Sequence, residues 1–345
     1  MNKIIFTTQE SSCTFSLDEL EKISEHTRLL KWLKPGIGIL ESDKSFTLIS
    51  KTIINKPLLF TRHIFPILGT IPIHEDDNDF NLIINSICQI KEYLKKELTF
   101  SVQSRILSQV NSCIKNFDLN LNISDYLEMQ GYKLDIKNPE QVISIIIQDK
   151  LCYVGISESR YNLSNWAGGE HRFKYFDDQI SRSEFKLMEA IDTFKIDLSN
   201  YKNALDLGAA PGGWTKILLS YKLKVTAIDP ANLNDSIKKN VNVVHYKELA
   251  QNYINKIKNT EIFDMILNDM RMDSIDSCNL TGLFCKYLNK NGIAIITIKL
   301  PHANILKIAN KSLLILKKWY DIAGARQLFH NRSEITVVLR PKVTL

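Results

Sequence analysis

From about Tyr201 onward, short apolar runs alternate along the chain with amphipathic stretches. Strands that alternate with helices favour a parallel sheet with right-handed crossovers, and hence a doubly wound α/β domain. The apolar runs that we assign to strands are Ala204–Leu207, Val225–Ile228, Val241–Val244, Met265–Leu267, Ile293–Ile298 and Ile335–Leu339. The amphipathic stretches that we assign to helices include Trp214–Ser220 and His302–Lys318.

The N-terminal half has a mixed pattern without this regular alternation. Tyr132–Lys137 alternates between polar and apolar residues, and Val142–Ile147 and Leu151–Gly155 are apolar runs typical of strands. The residues 138–141, Asn-Pro-Glu-Gln, predict a turn between the first two of these segments. Ser157–Ile180 predicts an irregular connection between domains, and the first ninety or so residues predict a small α+β unit.

The bulk composition narrows the class of protein only slightly. The chain has 345 residues, 44% of them hydrophobic, and its length predicts roughly two or three domains. The formal net charge of +6 suits a polyanionic partner but does not require one, because basic solvated surfaces are common. No apolar run approaches the roughly 18 residues that span a bilayer, and the N-terminal segment turns polar too soon for a signal peptide. We therefore expect a cytoplasmic protein that does not insert into a membrane.

The cysteines give no sign of a metal site or of a disulfide framework. The six of them form no Cys-x-x-Cys pair and no Cys/His cluster with zinc spacing. We interpret them as the reduced thiols of a cytosolic protein, and we expect no metal.

The segment 204–214 is the most informative part of the chain. It reads Ala-Leu-Asp-Leu-Gly-Ala-Ala-Pro-Gly-Gly-Trp, an apolar strand that leads through a glycine-rich turn into a helix. Glycines let the backbone approach a ligand closely, and the helix N-terminus offers free N–H donors. The spacing Gly208-x-x-x-Gly212-Gly213 differs from the Gly-x-Gly-x-x-Gly of dinucleotide sites, and Asp206 would repel a phosphate.

The acids near this turn favour a cationic, ribose-bearing ligand. Asp206 beside the glycines suits an amino acid's ammonium group, and Asp229 at the end of the next strand is placed to accept hydrogen bonds from ribose hydroxyls. An adenosine that carries an amino acid is S-adenosylmethionine, which is the cofactor that we expect. NAD is the weaker alternative, and a ligand-free βα turn is another.

This loop resembles that of the ribose 2′-O-methyltransferases related to the heat-shock rRNA methyltransferase, which carry Leu-Asp-Leu-Gly-Ala-Ala-Pro-Gly-Gly-Trp almost letter for letter. Those enzymes use a Lys-Asp-Lys-Glu catalytic tetrad, and residues of the same type follow here in the same order. They are Lys186, Asp269, Lys299 and Glu334. Residues 325–334 and the Lys-Leu-Pro step at 299–301 resemble the bacterial large-subunit rRNA cytidine-2′-O-methyltransferase family in particular. The resemblance is strong over 181–340 and weaker, though colinear, before it.

The resemblance implies a Rossmann-like methyltransferase domain with a mostly parallel seven-stranded sheet. It implies transfer of a methyl group from S-adenosylmethionine to RNA, with 23S rRNA and cytidine favoured. The candidate cofactor-binding residues are Ser183, Asp206, Gly208, Ala210, Pro211, Gly212, Gly213, Trp214, Asp229 and Asp269. One position departs from the family: where the family has an acid after the third strand, near the adenine, this chain has Leu249, or Glu248 with a shift.

The residue types of the tetrad suit the chemistry. A ribose hydroxyl is a poor acid, so a base must take its proton as the methyl group transfers in line. A lysine can do so only if its pKa is lowered by burial or by a second cation, and Lys186 and Lys299 supply each other with one. We expect Lys299 to accept the proton, with Asp269 and Lys186 fixing it and the hydroxyl. Either lysine alone would more simply be a solvated surface charge. Four charged residues at the carboxyl edge of one sheet, beside a cofactor loop, are better explained as a catalytic site.

The first half resembles RNA-binding modules. Tyr132–Gly155, with Phe100–Arg105 as an opening strand, resembles a THUMP domain, and the cytidine family carries a small ferredoxin-like unit before it. We therefore divide the chain into a ferredoxin-like domain (1–90), a THUMP-like domain (91–165) and a methyltransferase domain (166–345). Basic residues that could contact phosphates are Lys91, Lys95, Lys96 and Arg105. A generic α+β lid is the alternative.

Other functions remain open at this point. The chain could be an RNA-binding protein whose methyltransferase domain is inactive, or it could act on another RNA such as tRNA. Base methylation calls for an Asn/Asp-Pro-Pro-aromatic motif or a catalytic cysteine after the fourth strand, where this chain reads Asn-Asp-Met-Arg at 268–271. The sequence leaves open the methylated nucleotide, the choice between naked and assembled rRNA, and the choice between monomer and homodimer.

Overall fold

The computed structural model describes residues 1–76, 78–108, 115–301 and 303–342. The chain divides into two units, Met1–Glu170 (unit 1) and His171–Leu345 (unit 2). The start that the sequence suggested for the methyltransferase domain, residue 166, lies five residues before the start of unit 2 at His171. The division of unit 1 into two domains stays a prediction.

Unit 1 begins with a four-stranded antiparallel sheet that has two helices on one face. Its elements are β1 (Asn2–Thr8), α1 (Cys13–Glu21), β2 (Arg28–Lys34), β3 (Ile37–Ser42), α2 (Phe46–Asn55) and β4 (Thr61–Ile67). The strand order β2-β3-β1-β4 and the β-α-β-β-α-β connectivity are those of a ferredoxin-like unit. Leu20 of α1 and Ile49 of α2 pack with Phe6 of β1 in one core. The predicted ferredoxin-like fold is confirmed.

A second sheet completes unit 1. Its elements are β5 (Gly69–Pro72), α3 (Asp79–Gln89), β6 (Thr99–Ile106), α4 (Asn116–Met129), β7 (Lys133–Leu134), β8 (Gln141–Gln148) and β9 (Leu151–Glu158). The strand order is β5-β9-β8-β6-β7. The strands predicted at Phe100–Arg105, Val142–Ile147 and Leu151–Gly155 are confirmed, whereas Tyr132–Lys137 contributes only the two residues of β7. Helix α3 and strand β5 pack into the core of this second sheet.

The two sheets of unit 1 face each other. Ile5 and Phe65 of the first sheet share a buried cluster with Ile146 and Tyr153 of the second. Gly155 of β9 lies where β9 crosses closest to β4, and a Cβ there would overlap the carbonyl oxygen of Pro66. A glycine is therefore needed at this position for the sheets to approach.

Unit 2 is built on a seven-stranded sheet with helices between the strands. Its elements are α5 (Ser183–Thr193), β10 (Asn203–Leu207), α6 (Gly213–Ser220), β11 (Lys224–Ile228), α7 (Asp235–Lys238), β12 (Val243–Tyr246), α8 (Ala250–Tyr253), β13 (Phe263–Asn268), α9 (Ser274–Leu283), β14 (Leu288–Lys299), α10 (Ile305–Leu316), β15 (Tyr320–Arg326) and β16 (Glu334–Pro341). The strand order is β12-β11-β10-β13-β14-β16-β15, and β16 runs antiparallel to the other six strands. The predicted Rossmann-like, mostly parallel seven-stranded sheet is confirmed.

Two predicted elements of unit 2 had incorrect bounds. The third strand is Val243–Tyr246 and not Val241–Val244, because Asn240 forms a turn in which its side-chain oxygen accepts the backbone N–H of Asn242 at 2.9 Å. Val241 is consequently 95% exposed. Helix α10 begins at Ile305, because Asn304 has φ +58 and cannot continue a helix; the predicted start, His302, lies outside the described residues.

The strand order reverses between β10 and β13. Strand β10 pairs with β11 on one side and with β13 on the other, so the crossovers on the two sides diverge. In open α/β sheets the crevice at such a point, outside the carboxyl ends of the strands, is where ligands bind. We therefore expect the ligand-binding residues to follow β10, β11, β13 and β14.

We predict that Gly155→Ala weakens the packing of the two sheets of unit 1. The added methyl group has no room beside Pro66, and overpacking of this kind costs about 1–3 kcal/mol of stability. Amide hydrogen exchange of the full chain should show faster exchange across β8 and β9 in this variant.

The matched control is Ser144→Ala, directly opposite Gly155 in β8. The Ser144 hydroxyl is buried without a hydrogen-bond partner among the described residues, so its removal should leave exchange nearly unchanged. Equal exchange in the Gly155 variant and the wild type would show that the sheets do not require this close approach.

Candidate active site

A cavity of about 1360 Å³ opens at the carboxyl edge of the sheet in unit 2. It lies at the point where the strand order reverses, as the fold leads one to expect. Most of the site residues predicted from the sequence line it. They are Ser183, Lys186, Asp206, Gly208, Ala210, Pro211, Trp214, Asp229, Asp269, Lys299 and Glu334.

The loop after β10 is fixed to the end of β11. The N–H groups of Gly208 and Ala209 donate to the carbonyl oxygen of Ile228 at 2.9 and 3.2 Å, and the N–H of Ala210 donates to Asp229 Oδ2 at 3.1 Å. Gly208 has φ +77, and a Cβ at this position would come within 2.6 Å of Met270 Cγ. The glycine is required here by backbone conformation and by the close approach of the next strand end.

Two predicted cofactor-binding residues, Gly212 and Gly213, do not line the cavity. Gly212 adopts φ +114 immediately before α6 begins. A Cβ on Gly213 would overlap the hydroxyl of Ser181 and lie 2.6 Å from that of Ser183, so this glycine lets α6 begin close to the start of α5. The pair shapes the turn rather than the surface of the cavity.

Asp206 is an acid buried at the inner end of the cavity. Its side chain is 1% exposed, and its Oδ2 accepts a hydrogen bond from Thr215 Oγ1 at 2.6 Å. Burial raises its pKa to about 7, with the nearby carboxylates of Asp269 and Asp229 adding to the effect. A cation placed beside Asp206 would favour its ionised form.

The four residues of the predicted tetrad meet in one network of ion pairs. Lys299 Nζ lies 2.7 Å from Asp269 Oδ1 and 2.8 Å from Glu334 Oε2. Lys186 Nζ lies 2.9 Å from Glu334 Oε1 and 3.4 Å from Asp269 Oδ1. The side chains are only 11–27% exposed. Each lysine therefore bridges both carboxylates, and the formal charges of the four groups cancel.

The electrostatics of the network differ from the sequence-based expectation that the pKa of a catalytic lysine is lowered. Burial acts to lower the pKa of Lys299, but the carboxylates of Asp269 and Glu334 outweigh burial, and the net pKa is raised. Burial likewise opposes ionisation of Asp269, yet Lys299 and Lys186 hold its pKa below the ordinary value. Without ligands the network thus keeps Lys299 protonated.

A further member of the network, Thr297, was not predicted. Its hydroxyl donates to Asp269 Oδ1 at 2.5 Å and accepts from Lys299 Nζ at 3.0 Å. Thr297 lies two residues before Lys299 in β14, and successive odd or even positions of a strand share a face. That spacing is the signal by which the sequence could have identified it.

Other lining residues were also missed. Among them are exposed residues with a charged or aromatic group, including Tyr175, Arg182, Arg271 and Arg332. Arg182, Arg271 and Arg332 each lie within four residues of a tetrad member in the sequence, which is the signal that could have identified them.

The region after β12, where the sequence left the adenine contact open, also lines the cavity. Glu248 Oε2 forms an ion pair with Lys256 Nζ at 2.7 Å, whereas Leu249 is 51% exposed. Both residues line the cavity, but of the two only Leu249 has an exposed apolar side chain that could contact a ligand.

Comparison with known proteins agrees with this geometry. Residues 179–281, which include Lys186, the loop after β10 and Asp269, match the model of the FtsJ-like methyltransferase family. The matched residues all lie in unit 2 and run from just before α5 into α9.

Curated relatives extend the similarity beyond the FtsJ-like domain. Ribosomal RNA large subunit methyltransferase M of Serratia proteamaculans is 32% identical over 203 residues, which cover 55% of this chain and 53% of that protein. The protein of the same name from Shewanella sp. (strain ANA-3) is 27% identical over 321 residues, covering 87% and 84%. The chain thus spans about half the length of the Serratia relative. Among solved structures, TrmN from Thermus thermophilus aligns with 99% of this chain and 100% of its own at 12% identity and a TM-score of 0.43.

The described residues contain neither a membrane-spanning helix nor a cluster of metal-binding side chains. No helix among them is long and apolar enough to cross a membrane. Within the same ranges, no group of three or more His, Cys, Asp or Glu side chains is arranged to hold a metal ion.

We predict that Asp206 makes the stability of the ligand-free protein depend on pH. A carboxyl whose pKa is raised on folding binds its proton more tightly in the folded state. Its stabilising contribution is therefore complete below the ordinary pKa near 4 and is lost as the pH rises through about 7. Asp206→Asn removes this titration, so its unfolding temperature should fall less than that of the wild type across this window.

Glu19 of unit 1, whose pKa burial also raises to about 7, titrates in both proteins and cancels in the comparison. Parallel pH profiles for the wild type and Asp206→Asn would contradict the assignment of a raised pKa to Asp206.

Proposed function

We propose that this protein is an S-adenosylmethionine-dependent RNA ribose 2′-O-methyltransferase that acts on large-subunit (23S) rRNA, with cytidine favoured. The observation that carries the proposal is the network of Lys186, Asp269, Lys299 and Glu334, which opens onto the same cavity as the loop after β10. The FtsJ-like domain and the names of the rRNA methyltransferase relatives support it. An rRNA substrate would place the protein in the cytoplasm.

The inner part of the cavity fits the proposed cofactor. Asp206 is a buried acid that a neighbouring cation would stabilise, which suits the ammonium group of the methionine moiety. The backbone from Gly208 to Pro211 lines the cavity beside it, and Asp229 at the end of β11 suits the ribose hydroxyls. Ser183, Trp214 and Asp269 complete the proposed contacts. S-adenosylmethionine, when bound, supplies an electrophilic methyl group on a positively charged sulfur.

The network supplies the remaining chemistry. We assign Lys299 as the acceptor of the 2′-hydroxyl proton, with its ammonium form as the product of that step. Because the ligand-free network keeps Lys299 protonated, it must release a proton before it can act. Exclusion of water from the filled cavity and added positive charge near Lys299 both act to lower its pKa. Lys186 then donates to the hydroxyl oxygen, while Asp269 and Glu334 hold the two amine groups in place.

The geometry disfavours base methylation. The amide of Asn268 is fully buried and donates to the hydroxyls of Ser277 and Thr281 at 3.0 and 2.8 Å, so it cannot reach a nucleobase. No cysteine is among the described residues that line the cavity, so a thiolate nucleophile has no candidate there. The complete tetrad disfavours an inactive domain, and the buried Asp206 disfavours the pyrophosphate of NAD.

We also propose that unit 1, as a ferredoxin-like domain (1–90) followed by a THUMP-like domain (91–165), adds RNA affinity without adding chemistry. The basic residues suggested for phosphate contacts differ in their surroundings. Lys95 pairs with Glu158 at 2.9 Å, and Arg105 pairs with Glu170 and is mostly buried. Lys96 donates to the carbonyl oxygen of Gln130, the residue that follows α4, at 2.8 Å. Lys91 is exposed and is the best placed of the four to meet a phosphate.

We predict that Asp229→Ala weakens S-adenosylmethionine binding by about 1–3 kcal/mol, because it removes a carboxylate that accepts hydrogen bonds. Isothermal titration measures this directly. Asp229 also accepts the N–H groups of Ala210 and Ala231, so unfolding temperature must be recorded for the variant.

Asp235→Ala, an exposed acid on α7 outside the cavity, is the matched control and should bind the cofactor normally. Unchanged affinity in Asp229→Ala would remove Asp229 from the cofactor site.

We predict that Lys299→Ala lowers the rate of methyl transfer by about 10²–10⁴-fold, the usual scale for loss of a general base, while cofactor affinity stays nearly intact. Lys299→Arg should be almost as slow, because a guanidinium group stays protonated and cannot accept the proton. Single-turnover transfer to unmodified 23S rRNA is the measurement. Substantial activity in Lys299→Arg would mean that Lys299 supplies only positive charge and that another group takes the proton.

A further inference from the structure

The cavity of unit 2 has two regions of opposite charge. Asp206, Asp229 and Glu248 line the region at the ends of β10, β11 and β12. Arginines line the opposite region, around the end of β13 and the starts of β16 and α5. The acidic region suits the cofactor, which leaves the basic region without an assigned ligand.

Three of these arginines surround the tetrad. Arg271 follows Asp269 by two residues, Arg332 precedes Glu334 by two, and Arg182 precedes Lys186 by four. Two residues of extended chain span at most roughly 7 Å. Four residues along a helix, as between Arg182 and Lys186 of α5, span about 6 Å. The tetrad side chains themselves meet within 3.4 Å. The three arginines therefore emerge next to the point where we place the 2′-hydroxyl.

These arginines have not been neutralised within the protein. All three are exposed, and their guanidinium groups form no ion pair with any residue in the ranges that the structure describes. Arginine binds phosphate through two parallel hydrogen bonds, which makes an unneutralised cluster of this kind a typical phosphate-binding surface.

Tyr175 adds an aromatic surface at the same mouth. Its side chain is 64% exposed although it lines the cavity. Its ring packs edge-to-face against Phe185, with 5.1 Å between ring centroids and an interplanar angle of 87°. Phe185 is buried and directly precedes Lys186 in α5. This contact places Tyr175 beside the residue that precedes Lys186, and much of the tyrosine surface stays open.

We propose that Tyr175, Arg182, Arg271 and Arg332 form the RNA-contacting rim of the active site. Tyr175 stacks on an unpaired base at or beside the target nucleotide, and the arginines bind the phosphates that flank it. The rim rests on the proposed function and specifies its substrate: a nucleotide in single-stranded or looped RNA, because only an unstacked base can reach an aromatic side chain.

The first test uses the dependence of RNA affinity on salt. Each phosphate contact on single-stranded RNA contributes about 0.7 to the slope of log affinity against log salt concentration. Arg271→Gln and Arg332→Gln in the full chain should each lower the slope by about 0.7, and the double variant by about 1.4. Arg332→Lys keeps the charge and should keep the slope. The probe is a short unstructured RNA oligonucleotide, followed by fluorescence anisotropy.

Lys311→Gln is the matched control, because Lys311 is an exposed cation on α10 outside the cavity. It should leave the slope unchanged, and the arginine variants should bind S-adenosylmethionine as the wild type does. Unchanged slopes in both arginine variants, or lost cofactor binding with unchanged RNA binding, would overturn the assignment of the arginines.

The second test separates the ring of Tyr175 from its hydroxyl. Loss of one stacked base is worth about 5- to 150-fold in affinity, so Tyr175→Ala should raise the KM for RNA by a factor in this range. Tyr175→Phe keeps the ring and should stay close to the wild type. Tyr221→Ala, a half-exposed tyrosine outside the cavity, should have no effect. Equal losses in Tyr175→Phe and Tyr175→Ala, or no loss in Tyr175→Ala, would overturn stacking.

These readouts also separate the rim from the proposed function. If the wild type methylates no ribose but the rim variants still weaken RNA binding and reduce its salt slope, the proposed function fails and the rim stands. If the wild type methylates 23S rRNA and the rim variants change neither slope nor KM, the rim is wrong and the proposed function stands.

Discussion

The mutual neutralisation of two lysines and two carboxylates at one edge of a sheet is the interaction on which the site depends. Lys186 and Glu334 are 148 residues apart, yet their side chains pair within 3.0 Å. Lys299 and Glu334 lie directly opposite each other on β14 and β16. A slip of one residue between these strands would send one of the two side chains to the other face. The antiparallel insertion of β16 therefore brings the fourth charge to an edge that parallel strands alone supply with only two.

The same edge separates two kinds of ligand. Asp206 is buried among carboxylates and gains from a nearby cation, whereas the arginines beyond the tetrad gain from anions. The tetrad lies between them with no net formal charge. A methyl donor that carries positive charge and an acceptor that carries phosphates would thus approach from opposite sides and meet at Lys299. Thr297 ties this meeting point together, because its hydroxyl bonds to both Asp269 and Lys299.

Much of unit 2 could be predicted from the sequence, because apolar runs and the loop after β10 are strong local signals. Strand β15 was missed, since Tyr320–Arg326 is only partly buried and contains Asp, Ala and Gly. The bounds of β12 were wrong because the side chain of Asn240 forms a turn that apolar periodicity does not register. The pKa of Lys299 was expected to be lowered and is raised, because two carboxylates from distant segments reach it only in the folded chain. The residues of the tetrad were thus predictable from the sequence, but the direction in which the pKa of Lys299 shifts was not.

We propose that the tetrad directs a methyl group to a ribose oxygen. The most direct measurement incubates the purified full chain with unmodified 23S rRNA and S-adenosylmethionine labelled in its methyl group, then digests the RNA to nucleosides and identifies the labelled species by mass spectrometry. We expect label in a 2′-O-methylated nucleoside, with 2′-O-methylcytidine favoured, and far slower labelling when Lys299 is alanine. Label in a methylated base, or equal labelling by the Lys299→Ala variant, would contradict it.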